Sequence, residues 1–121
     1  MSDYQMGVVE SRFAEIIWSN EPISSTALTK LCEEKLKWKK STTYTVLKRL
    51  CEKGIFKNNG GEVTSLIKKQ EFYSLQSEKF VEETFKGSLP AFLAAFTARK
   101  NLTAEEVTAL KKMVSEYEEG K

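Results

Sequence analysis

The 121-residue chain contains no histidine, two cysteines and two prolines. The missing histidine removes the commonest general base and metal ligand. Cys32 and Cys51 lie too far apart for a C-x-x-C pair, so neither a zinc site nor a disulfide scaffold is expected. There is no G-x-S-x-G elbow and no phosphate-cradling glycine loop, and Gly60-Gly61 reads as a turn. The usual nucleophile, base and cofactor arrangements are therefore lacking, and the expectation is a protein that is not an enzyme and carries no cofactor and no metal. No apolar run approaches the roughly 20 residues of a membrane span, and the opening "MSDYQMGVVE" has neither the basic start nor the long apolar stretch of a signal peptide. A cytoplasmic protein with no membrane partner is expected. Each cysteine sits among aliphatics at helical spacing and reads as a small buried thiol.

What the chain does have is positive charge concentrated in one place. The formal net charge is only +2, yet Lys35 to Lys57 holds Lys35, Lys37, Lys39, Lys40, Lys48, Arg49, Lys53 and Lys57 against Glu52 alone. A basic block inside a nearly neutral protein is a localised field, and a polyanion is its natural partner.

The hydrophobic period places that block. Val9, Phe13, Ile16 and Ile17 fall at i, i+4, i+7 and i+8, marking a first helix that ends near Asn20, before Pro22. After the link "EPIS", Ala27, Leu28, Leu31 and Cys32 mark a second helix to about Leu36, with Ser24 or Ser25 as N-cap. A third helix follows the short connection of Lys37 to Lys40. Thr43, Val46, Leu47 and Leu50 share one of its faces; Ser41, Thr42, Tyr44, Thr45 and Lys48 lie on the other, and Gly54 suits the left-handed position beyond its end. "IFKN" and "VTSLI" around "NGGE" read as two strands of a tight hairpin. Three helices and a hairpin are the order of a winged helix-turn-helix, in which the third helix enters the DNA major groove and the wing lies along the backbone.

From Glu71 the pattern is helical again. Phe72, Leu75, Phe80, Val81 and Phe85 mark a fourth helix closed by Gly87; Ser88 caps a fifth with Pro90 in its first turn; Thr103 and Glu106 form a capping box for a sixth. Residues Leu89, Phe92, Leu93, Phe96, Val107, Leu110, Val114 and Tyr117 are more apolar surface than two short helices can bury against each other. They are expected to meet their copies in a homodimer. The expected fold is mainly α with a small β-hairpin: a winged helix-turn-helix domain over residues 1–70, then a helical dimerisation subdomain over 71–121.

On the third helix, Ser41, Thr42, Tyr44, Thr45 and Lys48 are candidates for base edges or phosphates. Lys39, Lys40 and Lys57 are candidate phosphate contacts, and each reads equally as a solubility lysine. Arg49 suits either a phosphate or a carboxylate of the first helix. Trp18 and Trp38 border helix ends and read as core-edge residues. The rival to DNA binding is a winged-helix protein-interaction module whose basic face meets an acidic partner. RNA binding is weaker, because Trp18, Trp38 and Tyr44 do not line a strand-like platform.

The stretches "IIWSNEPIS", "WKKSTTYTVLKRLCEKGIF" and "SLPAFLAAF" occur in the order and spacing of the penicillinase-repressor family of transcriptional regulators, the BlaI/MecI/CopY type. The chain resembles that family from about Gly7 to Tyr117, most specifically from Trp38 to Gly54. The resemblance implies a homodimer that binds a palindromic operator on double-stranded DNA and represses transcription. It further implies dimerisation through the C-terminal helices and, in β-lactam-responsive members, release by a regulatory protease. "FLAAFT" is where the resemblance would put that cleavage, with Ala95 and Phe96 the flanking pair; Phe96 reads also as a plain core residue. Copper-responsive members carry Cys-x-Cys pairs near the C-terminus. This chain ends "MVSEYEEGK", so metal sensing does not carry over. Family members often have an aliphatic where Thr43 stands.

Overall fold

The computed structural model describes residues 6–120. Along the chain run α1 (Val8–Asn20), β1 (Ile23–Ser24), α2 (Ser25–Leu36), α3 (Lys40–Glu52), β2 (Phe56–Asn59), β3 (Glu62–Ser65), α4 (Lys69–Phe85), α5 (Leu89–Arg99) and α6 (Ala104–Glu119). Three helices and a small antiparallel sheet make a winged helix, and further helices follow it.

The helices start and stop for local reasons. Ser24 caps α2 by accepting from the Ala27 N–H at 3.0 Å. Ser88 does the same for α5 through Ala91, with Pro90 in the first turn. At α6, Thr103 and Glu106 satisfy each other's backbone N–H groups in a capping box. Beyond α3, Gly54 takes φ +84°, a left-handed conformation that lets the chain turn directly into the buried Ile55.

The sheet has the order β1-β3-β2, both pairs antiparallel. In the hairpin Asn59 pairs with Glu62 across Gly60 and Gly61, both with positive φ, which is the two-residue turn expected from "NGGE". The third strand was not expected. "EPIS" read as a link, whereas Ile23 pairs with Val63 and Ser24 with Glu62. Two residues carry no period, so only the partner strand reveals them.

The core gathers Phe13 and Ile17 of α1, Leu28 and Cys32 of α2, Leu47 and Leu50 of α3, and Ile55, Phe56 and Val63 around the hairpin, all essentially inaccessible to solvent. Val9 departs from the expected apolar face: it is 55% exposed, and Ala27 is exposed as well. Both lie in first turns, where the period continues beyond the elements that cover it. Trp18 and Trp38 seal edges as expected. Trp18 donates its ring N–H to the Ile67 carbonyl at 3.1 Å and meets Phe56 and Phe72 at 5.5 Å. Trp38 stacks on Phe13 at 5.3 Å.

Two compact units divide between Glu78 and Lys79, within α4. The return of a helical period at Glu71 suggests a boundary at 70/71; Phe72 is buried in the first core, and Lys69 and Tyr73 both bind Glu15 of α1. In the second unit Phe80, Phe85 and Phe92 meet edge to face at 5.7 to 6.0 Å. Neither α5 nor α6 contains a fully buried residue.

Glu21 locks the end of β3 to the end of α1. Its carboxylate accepts from the Ser65 N–H and hydroxyl, each at 2.8 Å, and from Lys68 at 3.3 Å. Burial alone would raise the Glu21 carboxyl; the Ser65 and Lys68 interactions outweigh it and hold the group below its ordinary value near 4.5. A lowered folded pKa contributes stability that is present above the unfolded value and lost as the pH falls through the folded one. Glu21→Gln is therefore expected to cost about 1.5–3 kcal/mol at neutral pH, the range for hydrogen bonds to a charged group. It should also remove part of the wild-type decline in stability below pH about 4.5. Urea unfolding across pH 3–7 measures both; an unchanged pH profile would remove Glu21 from the lock.

Candidate nucleic-acid interface

The turn between α2 and α3 is built from three residues. Lys37 takes the left-handed conformation at φ +59°, strained for a side chain with a Cβ. The Lys37 and Trp38 N–H groups both reach the Cys32 carbonyl at the end of α2. With Trp38 anchored on Phe13, the chain re-enters a helix at Lys40. The N-cap, Lys39, offers no side-chain acceptor to the first turn of α3. Those backbone N–H groups are left for solvent or an anion.

The faces of α3 are sharply divided. Thr43, Val46, Leu47 and Leu50 are buried. Thr43 is fully buried, its hydroxyl making a long 3.5 Å contact to the Lys39 carbonyl. Ser41, Thr42, Thr45, Lys48 and Arg49 are exposed and Tyr44 is half-buried. Thr45 donates its hydroxyl to the Ser41 carbonyl at 2.9 Å and remains exposed. The Tyr44 hydroxyl turns back to Ser25 Oγ at 3.2 Å.

Of the two roles open to Arg49, the structure shows the ion pair: its guanidinium reaches the Glu10 carboxylate of α1 at 3.0 Å. Burial would raise the Glu10 carboxyl, but the Gly7 N–H, Arg49 and the nearby Lys53 charge hold it below the ordinary range. Lys39, Lys40, Lys48 and Lys57 are exposed and make no ion pair among the described residues. Lys68 and Lys69, by contrast, face carboxylates. Lys39, Lys40 and Lys48 thus place unpaired positive charge at the start and on the exposed face of α3.

A recess of about 350 Å³ joins Tyr44, Leu47, Lys48 and Cys51 of α3 to Asn58 of β2. A second brings Lys37, Lys39 and Lys40 together with Glu33 around Trp38. Lys57 is not brought to α3: Phe56 is buried and Asn58 lines the recess, so strand alternation puts Lys57 on the other face of the hairpin. Glu10 is the first-helix carboxylate expected for Arg49; sequence reasoning missed Ser25 and Asn58. Their only signal was that each is polar beside an apolar run, which is true of many surface residues.

In the second unit Phe92, Leu93, Val107 and Leu110 are half-buried, whereas Leu89, Phe96, Val114 and Tyr117 are 41–72% exposed. Ala95 and Phe96 are exposed within the regular helix α5. No helix among the described residues is long and apolar enough to cross a membrane, and none of their acidic and cysteine side chains cluster as a metal site.

Comparison with known proteins matches residues 6–116 to the penicillinase repressor family. The chain belongs to the penicillinase repressor family. It is similar to the methicillin resistance regulatory protein MecI of Staphylococcus aureus strain Mu50, at 22% identity over 116 residues that cover 93% of this chain and 94% of that protein. As a family member it is a DNA-binding transcriptional repressor.

Neither thiol suits this penicillinase repressor homologue for metal or redox chemistry. Burial raises the Cys32 thiol, opposed by a hydrogen bond from Thr43, and burial raises Cys51, opposed by the Asn58 backbone. Cys51 is only half-buried, not fully buried as its spacing suggested. A thiol reagent at pH 7 is expected to label Cys51 slowly and Cys32 only on unfolding. Mass spectrometry of native protein resolves the two sites; rapid modification of Cys32 would contradict the packing described.

Proposed function

We propose that the protein is a homodimeric repressor that reads a palindromic operator with the exposed face of α3, while its hairpin lies along the DNA backbone. The observation that carries this is the grouping of lysines without an ion pair among the described residues and exposed Ser41, Thr42 and Thr45 side chains on α3. Lys39 and Lys40, beside the uncapped start of the helix, bind phosphates; Ser41, Thr42, Thr45 and Lys48 face the major groove. Tyr44 borders that face, Lys57 meets the backbone from the wing, and Arg49 is committed first to Glu10. A module docking on an acidic protein would use the same charge, but it would not need hydroxyls with methyl groups presented beside a helix N-terminus.

In each subunit, Leu89, Phe92, Leu93, Phe96, Val107, Leu110, Val114 and Tyr117 meet their two-fold copies. The support is the exposure of large apolar side chains on helices that bury none of their own. A two-fold dimer presents two α3 helices to two half-sites and makes the second contact effectively intramolecular. If a protease relieves repression between Ala95 and Phe96, α5 must first open locally, because the bond lies inside a helix.

Thr45→Ala is expected to cost about 1–3 kcal/mol on a duplex selected by the wild-type chain from a randomised library, with little change on unselected DNA. An equal loss on both would make Thr45 a backbone contact, and no loss would exclude α3 as the reader. Lys57→Ala should flatten the log-log salt dependence by up to about two in a dimer, since it acts in both halves. An unchanged slope would take the wing off the DNA.

The dimer is tested with Leu89→Glu combined with Val114→Glu. Both positions are more than half exposed in the single chain, so the variant should keep its helical signal while sedimenting as a monomer. Affinity for the selected duplex should fall by at least about a hundredfold. A variant that stays dimeric would place the interface elsewhere.

A further inference from the structure

Ser25 is the meeting point of three elements. As the first residue of α2 it carries a backbone N–H that the helix itself cannot satisfy; the Gly61 carbonyl at the wing tip accepts it at 2.7 Å. The Ser25 side chain faces α3, where Oγ accepts the hydroxyl proton of Tyr44 at 3.2 Å. From Gly61 the circuit continues inward, because its own N–H is held by Asn58 Oδ1 at 3.0 Å. Asn58 and the Tyr44 ring then line the same recess, closing the loop.

A tyrosine hydroxyl has one proton to give. While Tyr44 donates to Ser25 it cannot donate to a base or a phosphate. Two observations make the internal bond more than a chance surface contact: it spans 19 residues of sequence between half-buried side chains, and its acceptor residue is already fixed to the wing. The wing tip has little else to hold it. β1 contributes only two residues to the sheet, and Gly60 and Gly61 have no side chains with which to pack.

We infer that Tyr44 is a positioning residue: through Ser25 it fixes the wing tip relative to α3, so that helix and wing engage one stretch of duplex together, and it does not itself read a base. This rests on the DNA-binding reading above for its consequence, though not for its geometry. Within a dimer the same link acts twice, once in each half-site.

The test uses full-length protein and three substitutions. Tyr44→Phe keeps the ring and removes the proton; Ser25→Ala removes the acceptor but keeps the backbone N–H and the Ser24 cap; Ser25→Thr keeps an acceptor. The first arm needs no DNA. Amide hydrogen exchange at Ser25 and Gly61 should quicken in Tyr44→Phe and in Ser25→Ala, and return towards wild type in Ser25→Thr, with the melting temperature nearly constant. Unchanged exchange in Tyr44→Phe would overturn the proposal.

The second arm measures affinity for a duplex selected from a randomised library by the wild-type chain. Tyr44→Phe and Ser25→Ala should each weaken binding by about tenfold, the scale of one or two net hydrogen bonds. The double variant should be no weaker than either alone, since both break one link. Losses that multiply would mean that Tyr44 touches DNA independently of Ser25, and the positioning role would fall. If exchange responds as expected but the wild type selects no duplex, the wing-to-helix link stands and the DNA-binding reading is what fails.

Discussion

Burial of one face of α3 is the constraint from which the rest follows. Val46, Leu47 and Leu50 pack into the same core as Phe13, Ile17 and Leu28, at about 1.5–3 kcal/mol for each large side chain removed from water. That packing sets the rotation of the helix about its own axis, and a helix rotated by one residue would turn Thr43 outward and Thr45 inward. The exposed row of Ser41, Thr42, Thr45 and Lys48 is therefore a product of the core. Phe13 contributes twice, since it also carries the stacked Trp38 that ends the turn before α3.

Around that helix the polar contacts hold elements in register. Glu10 ties α1 to α3 through Arg49, Glu15 ties α1 to α4 through Lys69 and Tyr73, and Glu21 ties the end of α1 to β3 through Ser65. All three acceptors come from α1 or its C-cap. Glu10 and Glu21 are largely shielded from solvent, where charge-assisted hydrogen bonds are stronger than on an open surface. The basic side of the molecule is thus selective in its pairing. Lys68 and Lys69, at the start of α4, are neutralised internally, while Lys39, Lys40 and Lys48 make no ion pair among the described residues.

The second unit follows a different logic. Its aromatic cluster of Phe80, Phe85 and Phe92 is partly wet, and α5 and α6 bury no residue completely. Helices of 11 and 16 residues draw most of their stability from packing of an apolar face and not from propensity. Leaving Leu89, Phe96 and Val114 in water is costly, which is the physical case for a symmetric partner.

Much of this was legible beforehand because it is local. Periodicity marked six helices, and caps at Ser24, Ser88 and Thr103 and the glycines at 54, 60 and 61 act within four residues of themselves, so sequence spacing alone reveals them. The order of helices and hairpin carried the winged-helix assignment, and the charge block around α3 was visible as a run of lysines. What the sequence could not express were pairings between distant residues: Ile23 with Val63, Ser25 with Gly61 and Tyr44. Such contacts depend on which surfaces the core brings together, and nothing in the spacing of a two-residue strand or a lone serine records that. The sequence by itself thus determined which residues form helices and where the positive charge resides. Tertiary structure decided which of those side chains are already engaged, because a hydroxyl or guanidinium has few partners to give and the nearest one in space takes it.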